Sequence, residues 1–161
     1  MEWSDHSFAP IVRGMAEHTP SPPRTVPDLL SDFVHTTPGA DHVVVFTHDS
    51  LVHAYSSGLS MQHAEQWSAL LGGLWSMADR WARVVDRGAC DHILHKDQAG
   101  RVLILPATPG CGIGLLLSAD ADIKKVAFAA QTFVDSLGSR LPQEVPTTVG
   151  AALHLRGERA A

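Results

Sequence analysis

The chain of 161 residues has few groups that could cross-link it or hold a metal. It contains only two cysteines, Cys90 and Cys111, and no CxxC pair, so neither a disulfide framework nor a zinc ribbon is indicated. Ten histidines are enough to consider a metal, but His92 and His95 stand three apart on a predicted strand and should point to opposite faces. We therefore expect no metal site and no cofactor.

Long apolar runs, a basic cluster and a leader sequence are also missing. No run reaches the ~18 apolar residues of a membrane span, and residues 1–18 lack the basic and apolar regions of a secretory signal. The net charge of -5, without a basic cluster, argues against a nucleic-acid surface. The sequence predicts a cytoplasmic protein that does not insert into membranes and reaches one only through partners.

Motifs that carry catalysis are missing as well. The chain has no Gly-x-Ser-x-Gly elbow, and neither cysteine stands in a recognised nucleophile motif. Gly110, Gly112 and Gly114 form a GxGxG, but no Gly-Lys-Ser/Thr follows and no helix begins there, so a tight turn or close strand packing is favoured over phosphate binding. The sequence predicts a protein that is not an enzyme.

What the chain does contain is one long amphipathic segment, residues 60–85. On a helical wheel its apolar side chains form a continuous arc of about half the circumference, whereas an ordinary surface helix needs only about 100°. The arc consists of Ala64, Trp67, Leu70, Leu71, Leu74, Trp75, Met77, Ala78, Trp81, Ala82, Val84 and Val85. It is wide enough to cover two surfaces, one of them the domain's own sheet and the other a partner. Covering by loops and a second helix of the same chain stays open as the alternative.

The opposite half of this helix carries Glu65, Ser68, Ser76, Asp79, Arg80 and Arg83. Gly72 and Gly73 lie on the same polar side. Each costs about 1 kcal/mol relative to alanine, so they mark either a kink or the close approach of another backbone.

Shorter elements flank the long helix. Thr25 and Asp28 form a capping pattern for a first helix, and Thr37-Pro38-Gly39 ends it. The remaining pattern predicts a hairpin of strands over 42–47 and 51–55, a meander of strands over 90–96, 101–107 and 111–118, and a last helix over 120–141. The first strand of the meander alternates like an edge strand, and an unpaired edge invites pairing with another chain.

We expect one folded domain over residues 26–141. Residues 1–25 have scattered apolar side chains and end in a proline-rich stretch, so they are predicted to be a flexible tail. Residues 142–161 are predicted to be a second tail, with a short helix over 149–155 that packs on a partner as the alternative.

Several local sequences accompany this order of elements. They are Leu29-Leu30-Ser31-Asp32-Phe33, Thr37-Pro38-Gly39-Ala40 before Val43-Val44-Val45, Ser57-Gly58-Leu59, Gly72-Gly73-Leu74 and Leu115-Leu116-Leu117-Ser118-Ala119-Asp120. Together with the order of elements, they resemble the Roadblock (dynein light chain) family in its bacterial form. The resemblance covers roughly residues 26–141. One departure is the hairpin turn, which commonly reads Asp-Gly and here is Asp49-Ser50, so that a two-residue primed turn is less favoured.

The resemblance implies an α+β fold in the order α-β-β-α-β-β-β-α. A five-stranded antiparallel sheet would carry the long helix on one face and the two other helices on the opposite face. The resemblance further implies a non-enzymatic regulatory or scaffold protein that forms a homodimer through the third strand and the long helix. It would bind or regulate a small Ras-like GTPase, in bacteria often beside a sensor histidine kinase.

The wide arc and the edge strand predict the residues of this dimer interface. They are Trp67, Leu70, Leu71, Leu74, Trp75, Ala78, Trp81, Cys90, His92 and Leu94. Arg80 and Arg83 are the candidate contacts to the GTPase. Cys90 is expected to be a reduced thiol, with an intermolecular disulfide as the alternative. His63, near Trp67 on the wheel, is expected in the interface or the core, with a pH-sensitive contact as the alternative.

A different class of function stays open beside this one. A small-ligand sensor domain of the profilin or GAF-like kind has a similar order of elements. It predicts a monomer with a closed pocket lined by Trp75, Leu103 and Leu115.

Overall fold

Helices cover both faces of a single antiparallel sheet in the computed structural model, which describes residues 21–143. The elements are α1 (Val26–Thr36), β1 (Ala40–Thr47), β2 (Val52–Tyr55), α2 (Met61–Val84), β3 (Ile93–Lys96), β4 (Gly100–Thr108), β5 (Cys111–Ser118), α3 (Ile123–Leu137) and a 3-10 turn (Gly138–Arg140). The strand order is β2-β1-β5-β4-β3, with neighbours antiparallel. The α+β class and the element order are confirmed. The predicted tails lie outside the described residues except for 21–25 and 142–143.

Capping residues start the helices where the sequence pattern places them. The Thr25 hydroxyl accepts a hydrogen bond from the Asp28 backbone N–H, and the Asp28 carboxylate accepts one from the Thr25 backbone N–H at 2.9 Å. Ser60 caps α2 by accepting from the His63 N–H at 3.2 Å. Because each pair satisfies donors that the first helical turn leaves free, these short polar sequences determine where the helices begin.

The two faces of the sheet bury two separate cores. Val43 and Val45 of β1 face α1 and α3, whereas Val44 and Phe46 face α2, because successive side chains of a strand point to opposite sides. This arrangement confirms the predicted placement of the long helix opposite the two others. The larger core, on the α1 and α3 side, also contains Leu103, Leu105, Ile113, Leu115, Val126, Ala130 and Val134.

The predicted sensor pocket is wrong. Leu103 and Leu115 belong to the core under α1 and α3, whereas Trp75 packs against the core under α2. The sheet separates them, so the three side chains cannot line one cavity. The sequence pattern does not show on which face of the sheet each of these side chains lies.

The glycines of β5 bring α2 and the sheet together. A Cβ atom on Gly114 would lie 2.5 Å from Cδ1 of Leu71, and one on Gly112 would lie 2.5 Å from Cζ of Phe46. Both distances are shorter than van der Waals contact, so neither position accommodates a side chain without displacement. Close packing on the strand therefore accounts for this part of the GxGxG pattern.

Strand β3 is shorter than predicted. It begins at Ile93 rather than at Cys90, because the Cys90 backbone N–H donates to Asp79 Oδ1 of α2 at 3.2 Å and this holds the preceding stretch away from the sheet. The last helix is shorter too, since the Asp122 side chain caps it and Gly138 ends it with φ +47°. The prediction that the first strand of the meander lies at a sheet edge is confirmed.

Candidate functional site on helix α2 and strand β3

The inner face of α2 consists mostly of small residues. Ala64, Ser68, Leu71 and Gly72 are its buried positions, and Ala64 and Ser68 are completely inaccessible. Small side chains let a helix lie close to the surface beneath it. Ser68 and Gly72, which the helical wheel assigns to the polar half, are buried because their size and not their polarity decides their position.

The hydroxyl of Ser68 is buried without compensation. Its Oγ has no hydrogen-bond partner within residues 21–143. A buried hydroxyl left unpaired costs about 1–3 kcal/mol. Close approach of α2 to the sheet therefore comes at a cost in stability at this position.

Gly72 and Gly73 have different surroundings although they are adjacent. A Cβ atom on Gly72 would lie 2.9 Å from the Cα of Ser50 in the hairpin turn, whereas one on Gly73 would have no atom of residues 21–143 within 4 Å. The prediction that a helix glycine marks the approach of another backbone is confirmed for Gly72. Gly73 has no such role within the described range.

Five large apolar side chains project from α2 away from its inner face. We call Leu70, Leu74, Met77, Trp81 and Val84 the outer apolar row; each is between 40% and 73% exposed. They follow one another at alternating intervals of four and three residues, which is the spacing of a coiled-coil seam. A contiguous exposed apolar surface of this kind marks an interaction site.

The same spacing continues toward the start of α2 with Trp67 and His63. Their rings stack with centroids 6.4 Å apart, and the ring of His42 from β1 meets Trp67 edge-on at 5.9 Å. Trp67 is half-buried, whereas His63 is exposed. His63 therefore lies at the surface beside the outer apolar row, where the sequence interpretation had left a core position open.

Two residues of the predicted interface lie elsewhere. Leu71 is only 6% exposed and fills the core under α2, and Trp75 packs against the same core. Both were predicted at the interface and neither belongs to the outer apolar row. Conversely, Met77 and Val84 were left out of the predicted interface although they lie in the arc. Their four-three spacing with Leu70, Leu74 and Trp81 is the signal in the sequence that separates the row from the inner face.

Strand β3 forms one edge of the sheet. Ile93 pairs with Ile104 and faces α2, whereas Leu94 pairs with Leu103 and faces the opposite side, where it remains 45% exposed. Ile93 and Val102 are half-buried and pack against the core under α2. Among the strands of the described part, none pairs with the outer edge of β3. An apolar helix row and an open strand edge are therefore combined on one subunit.

Of the other predicted interface residues, Ala78 is half-buried on α2, and Cys90 and His92 lie in the linker before β3. His92 is exposed and pairs with Asp91 at 2.9 Å. Cys90 is half-buried, and the pKa of its thiol is raised, first by burial and then by the carboxylates of Asp79 and Asp91. A raised pKa keeps the thiol protonated and weakly nucleophilic, which favours the reduced form.

A polar groove lies between α2 and the hairpin turn. We call it the hairpin groove; it has a volume of about 310 Å³ and is lined by His48, Trp75, Ser76, Asp79, Arg80 and Arg83. Arg83 pairs with Asp79 at 2.8 Å, and the other oxygen of that carboxylate accepts from the Cys90 N–H. Arg80 is exposed and makes neither an ion pair nor a hydrogen bond to any residue between 21 and 143. The two arginines predicted to bind a partner therefore differ in availability.

A second, open cleft lies on the other side of the sheet between the end of α1 and the start of α3. It has a volume of about 550 Å³, and its polar lining includes Asp41, Asp120, Asp122 and Lys125. The Ser118 hydroxyl lowers the pKa of Asp120. Within the part of the chain that the structure describes, no three His, Cys, Asp or Glu side chains are arranged to hold a metal ion, and no helix is long and apolar enough to cross a membrane.

Solved structures resemble this arrangement of helices and strands. The Roadblock/LC7 domain from Streptomyces avermitilis is 23% identical, with a TM-score of 0.66 over 71% of this chain and 95% of that one. MglB from Myxococcus xanthus is 8% identical, with a TM-score of 0.64 over 70% of this chain and 91% of its own. The gliding protein MglB from Thermus thermophilus is 14% identical, with a TM-score of 0.61 over 70% and 85%. At these identities the likeness shows the fold.

The family is shown by sequence comparison. A family model of the Roadblock/LC7 domain matches residues 27–117, which is more than half of the chain. No curated protein matches the chain. The matched range runs from the start of α1 to the end of β5 and includes the outer apolar row, the hairpin groove and β3. The chain belongs to the Roadblock/LC7 domain family.

Proposed function

We propose that the protein is a homodimeric, non-enzymatic regulator that binds a small Ras-like GTPase. Membership of the Roadblock/LC7 family supports a regulatory role. The resemblance to bacterial Roadblock proteins supports the GTPase as partner, with a sensor histidine kinase beside it and a cytoplasmic location. The observation that carries the dimer is the outer apolar row, because five large apolar side chains at coiled-coil spacing have no cover within the described subunit.

The magnitude of the burial supports a dimer through this row. Fully burying a large apolar side chain stabilises by about 1.5–3 kcal/mol. The five residues are 40–73% exposed, so roughly half of that value remains to be gained at each position in both copies. The total is of the same order as the ~4–15 kcal/mol that association costs. Pairing of the open β3 edges adds backbone hydrogen bonds, so the two surfaces together favour the dimer.

Any effect on the GTPase follows from binding and positioning. Regulators accelerate GTP hydrolysis either by supplying an arginine to the transition state or by ordering the switch loops of the GTPase. Arg83 is paired with Asp79, and nothing in the sequence marks Arg80 as an arginine that reaches the transition state of the GTPase. We therefore propose that the dimer positions the switch loops of its partner and supplies no catalytic group.

The test begins with the mass of the protein in solution. Light scattering over a wide range of concentrations should give twice the chain mass of 17.3 kDa. Leu74→Glu should give a monomer with unchanged helix content, because it places a charge in the middle of the row. Phe128→Glu is the control, since Phe128 is a large apolar residue on α3 that is 77% exposed. A wild-type protein that stays monomeric at the highest concentration would contradict the dimer.

The second part of the test concerns the partner. Candidate small Ras-like GTPases of the host organism, loaded with GDP or with a non-hydrolysable GTP analogue, are titrated into the dimer by calorimetry, and GTP hydrolysis is followed in parallel. We expect binding that depends on the nucleotide state. If no candidate binds in either state or changes its hydrolysis rate, the GTPase assignment is wrong.

A further inference from the structure

The hairpin groove and the outer apolar row lie on different sides of α2. At 100° per residue, Asp79 and Arg83 stand about 140–180° around the α2 axis from the middle of the row, whereas Arg80 stands about 80° from it. A second copy that covers Leu74 and Trp81 therefore leaves most of the groove open, with Arg80 at the rim nearest the row. Each subunit of a dimer would present one such groove at its outer flank.

The charges in the groove favour an anionic group. Both oxygens of the Asp79 carboxylate have a partner, one in Arg83 and the other in the Cys90 N–H. Among the residues that line the groove, Arg80 is the cation without a counter-charge in the described part of the chain, whose net charge over all 161 residues is -5. An unpaired guanidinium presents a planar fork of donors that matches a carboxylate.

The groove also supplies groups that would hold the rest of an acidic side chain. The half-buried Trp75 offers an aromatic wall, and the exposed Ser76 offers a hydroxyl one helical turn before Arg80. His48 closes the groove from the hairpin turn. The Asp79 carboxylate also accepts a hydrogen bond from the Cys90 N–H in the linker before β3. Arg83 can turn toward a ligand only by breaking its ion pair with Asp79.

We infer that the hairpin groove is a docking site for an acidic segment of a protein partner, with an Asp or Glu side chain of that segment bound to Arg80. This inference rests on the proposed function in taking the partner to be the regulated GTPase. It adds the place of contact and the chemistry of the group that is recognised. It also implies that each dimer has two equivalent sites.

The test compares Arg80→Glu with Lys124→Glu. Lys124 is the matched control because it is an exposed cation on α3, on the opposite face of the sheet, and forms no ion pair with any described residue. Affinity for the GTPase should fall about tenfold in Arg80→Glu and weaken with added salt, as expected for an exposed charge contact. Affinity should stay within about twofold in Lys124→Glu, because this charge lies outside the groove.

A second measurement separates this inference from the proposed function. A hexaglutamate peptide is titrated into the isotope-labelled protein, and amide shifts are followed by NMR. Shifts concentrated at Ser76 and Arg80, and lost in Arg80→Glu, support the groove even if no GTPase binds and the proposed function fails. A GTPase that binds wild type and Arg80→Glu equally, or peptide shifts spread evenly over Lys124, Lys125 and Arg101, would overturn the inference.

Discussion

Gly72 of α2 lies directly against Ser50 of the β1–β2 turn. A Cβ atom at position 72 would lie 2.9 Å from the Ser50 Cα and closer still to its side chain. Ser50 adopts a left-handed conformation with φ +67°, which glycine adopts more easily. The turn therefore carries a side chain at a position where glycine would fit more easily, and α2 carries glycine where that side chain packs.

This relationship predicts opposite effects for two neighbouring glycines. Gly72→Ala should lower the free energy of unfolding by about 1–3 kcal/mol, because overpacking exceeds the gain in helix propensity. Gly73→Ala should raise it by up to about 1 kcal/mol, because nothing opposes the added methyl group. Denaturant unfolding at matched protein concentration measures both values. Changes of the same sign in both variants would show that Ser50 does not limit the space at Gly72.

Substitutions of the adjacent residues Leu70 and Leu71 test the dimer interface and the subunit core separately. Leu71→Ala should lower the free energy of unfolding by about 2–5 kcal/mol, because it leaves a cavity between α2 and Gly114. Leu70→Ala should leave the secondary structure intact and raise the dimer dissociation constant by about tenfold or more. Sedimentation and thermal unfolding distinguish the two. An unchanged dissociation constant in Leu70→Ala would remove the outer apolar row from the interface.

Ser68 offers a stabilising substitution. Ser68→Ala should raise the free energy of unfolding by about 1 kcal/mol, because it removes an unpaired buried hydroxyl and improves helix propensity. Ser76→Ala is the control, since Ser76 is exposed and only the propensity gain applies. Chemical denaturation of both variants measures the difference. A loss of stability in Ser68→Ala would mean that the hydroxyl has a partner beyond the described residues.

The first helix should lose stability in acid. The pKa of Asp28 is lowered below 3.8, first by the Thr25 hydroxyl and then by the Thr25 backbone N–H. A folded-state pKa below the unfolded value contributes stability that is present above pH 3.8 and is lost as the pH falls through the lower folded value. Melting temperatures from about pH 2 to about pH 6 should therefore depend less on pH in Thr25→Val.

The control for the loss of stability in acid is Thr132→Val. The Thr132 hydroxyl donates to a backbone carbonyl of α3 and to no carboxylate in the described part of the chain. Its substitution should shift the whole curve without changing its slope. If Thr25→Val and Thr132→Val have the same slope, the capping contact does not cause the acid dependence.

Much of the fold follows from local sequence. Thr25 with Asp28 and Ser60 with the following helix were predicted as capping positions, because such contacts join residues only three apart. The edge position of β3 was visible in its alternating pattern. Its start was not, because the contact between Cys90 and Asp79 joins residues eleven apart that carry no pairing signal.

The candidate site was predictable only in part. The apolar arc of α2 indicated two surfaces. The pattern predicted Leu71 and Trp75 at the dimer interface, whereas Leu71 is buried under α2 and Trp75 packs against the same core. It also placed Ser68, which is buried, on the polar half of the helix. Hydrophobicity ranks residues by polarity, whereas packing close to a sheet selects them by size. Arg80 and Arg83 are equivalent in the pattern, and only the position of Asp79 distinguishes them.

Periodicity and capping were sufficient to define the kinds of elements, their order and the amphipathic character of α2, because these properties depend on residues a few positions apart. The side of α2 that meets the sheet, the fit of Gly72 against Ser50 and the availability of Arg80 depend on groups brought together from distant parts of the chain. Contacts of that kind arise from shape and distance in three dimensions, which no short-range pattern encodes.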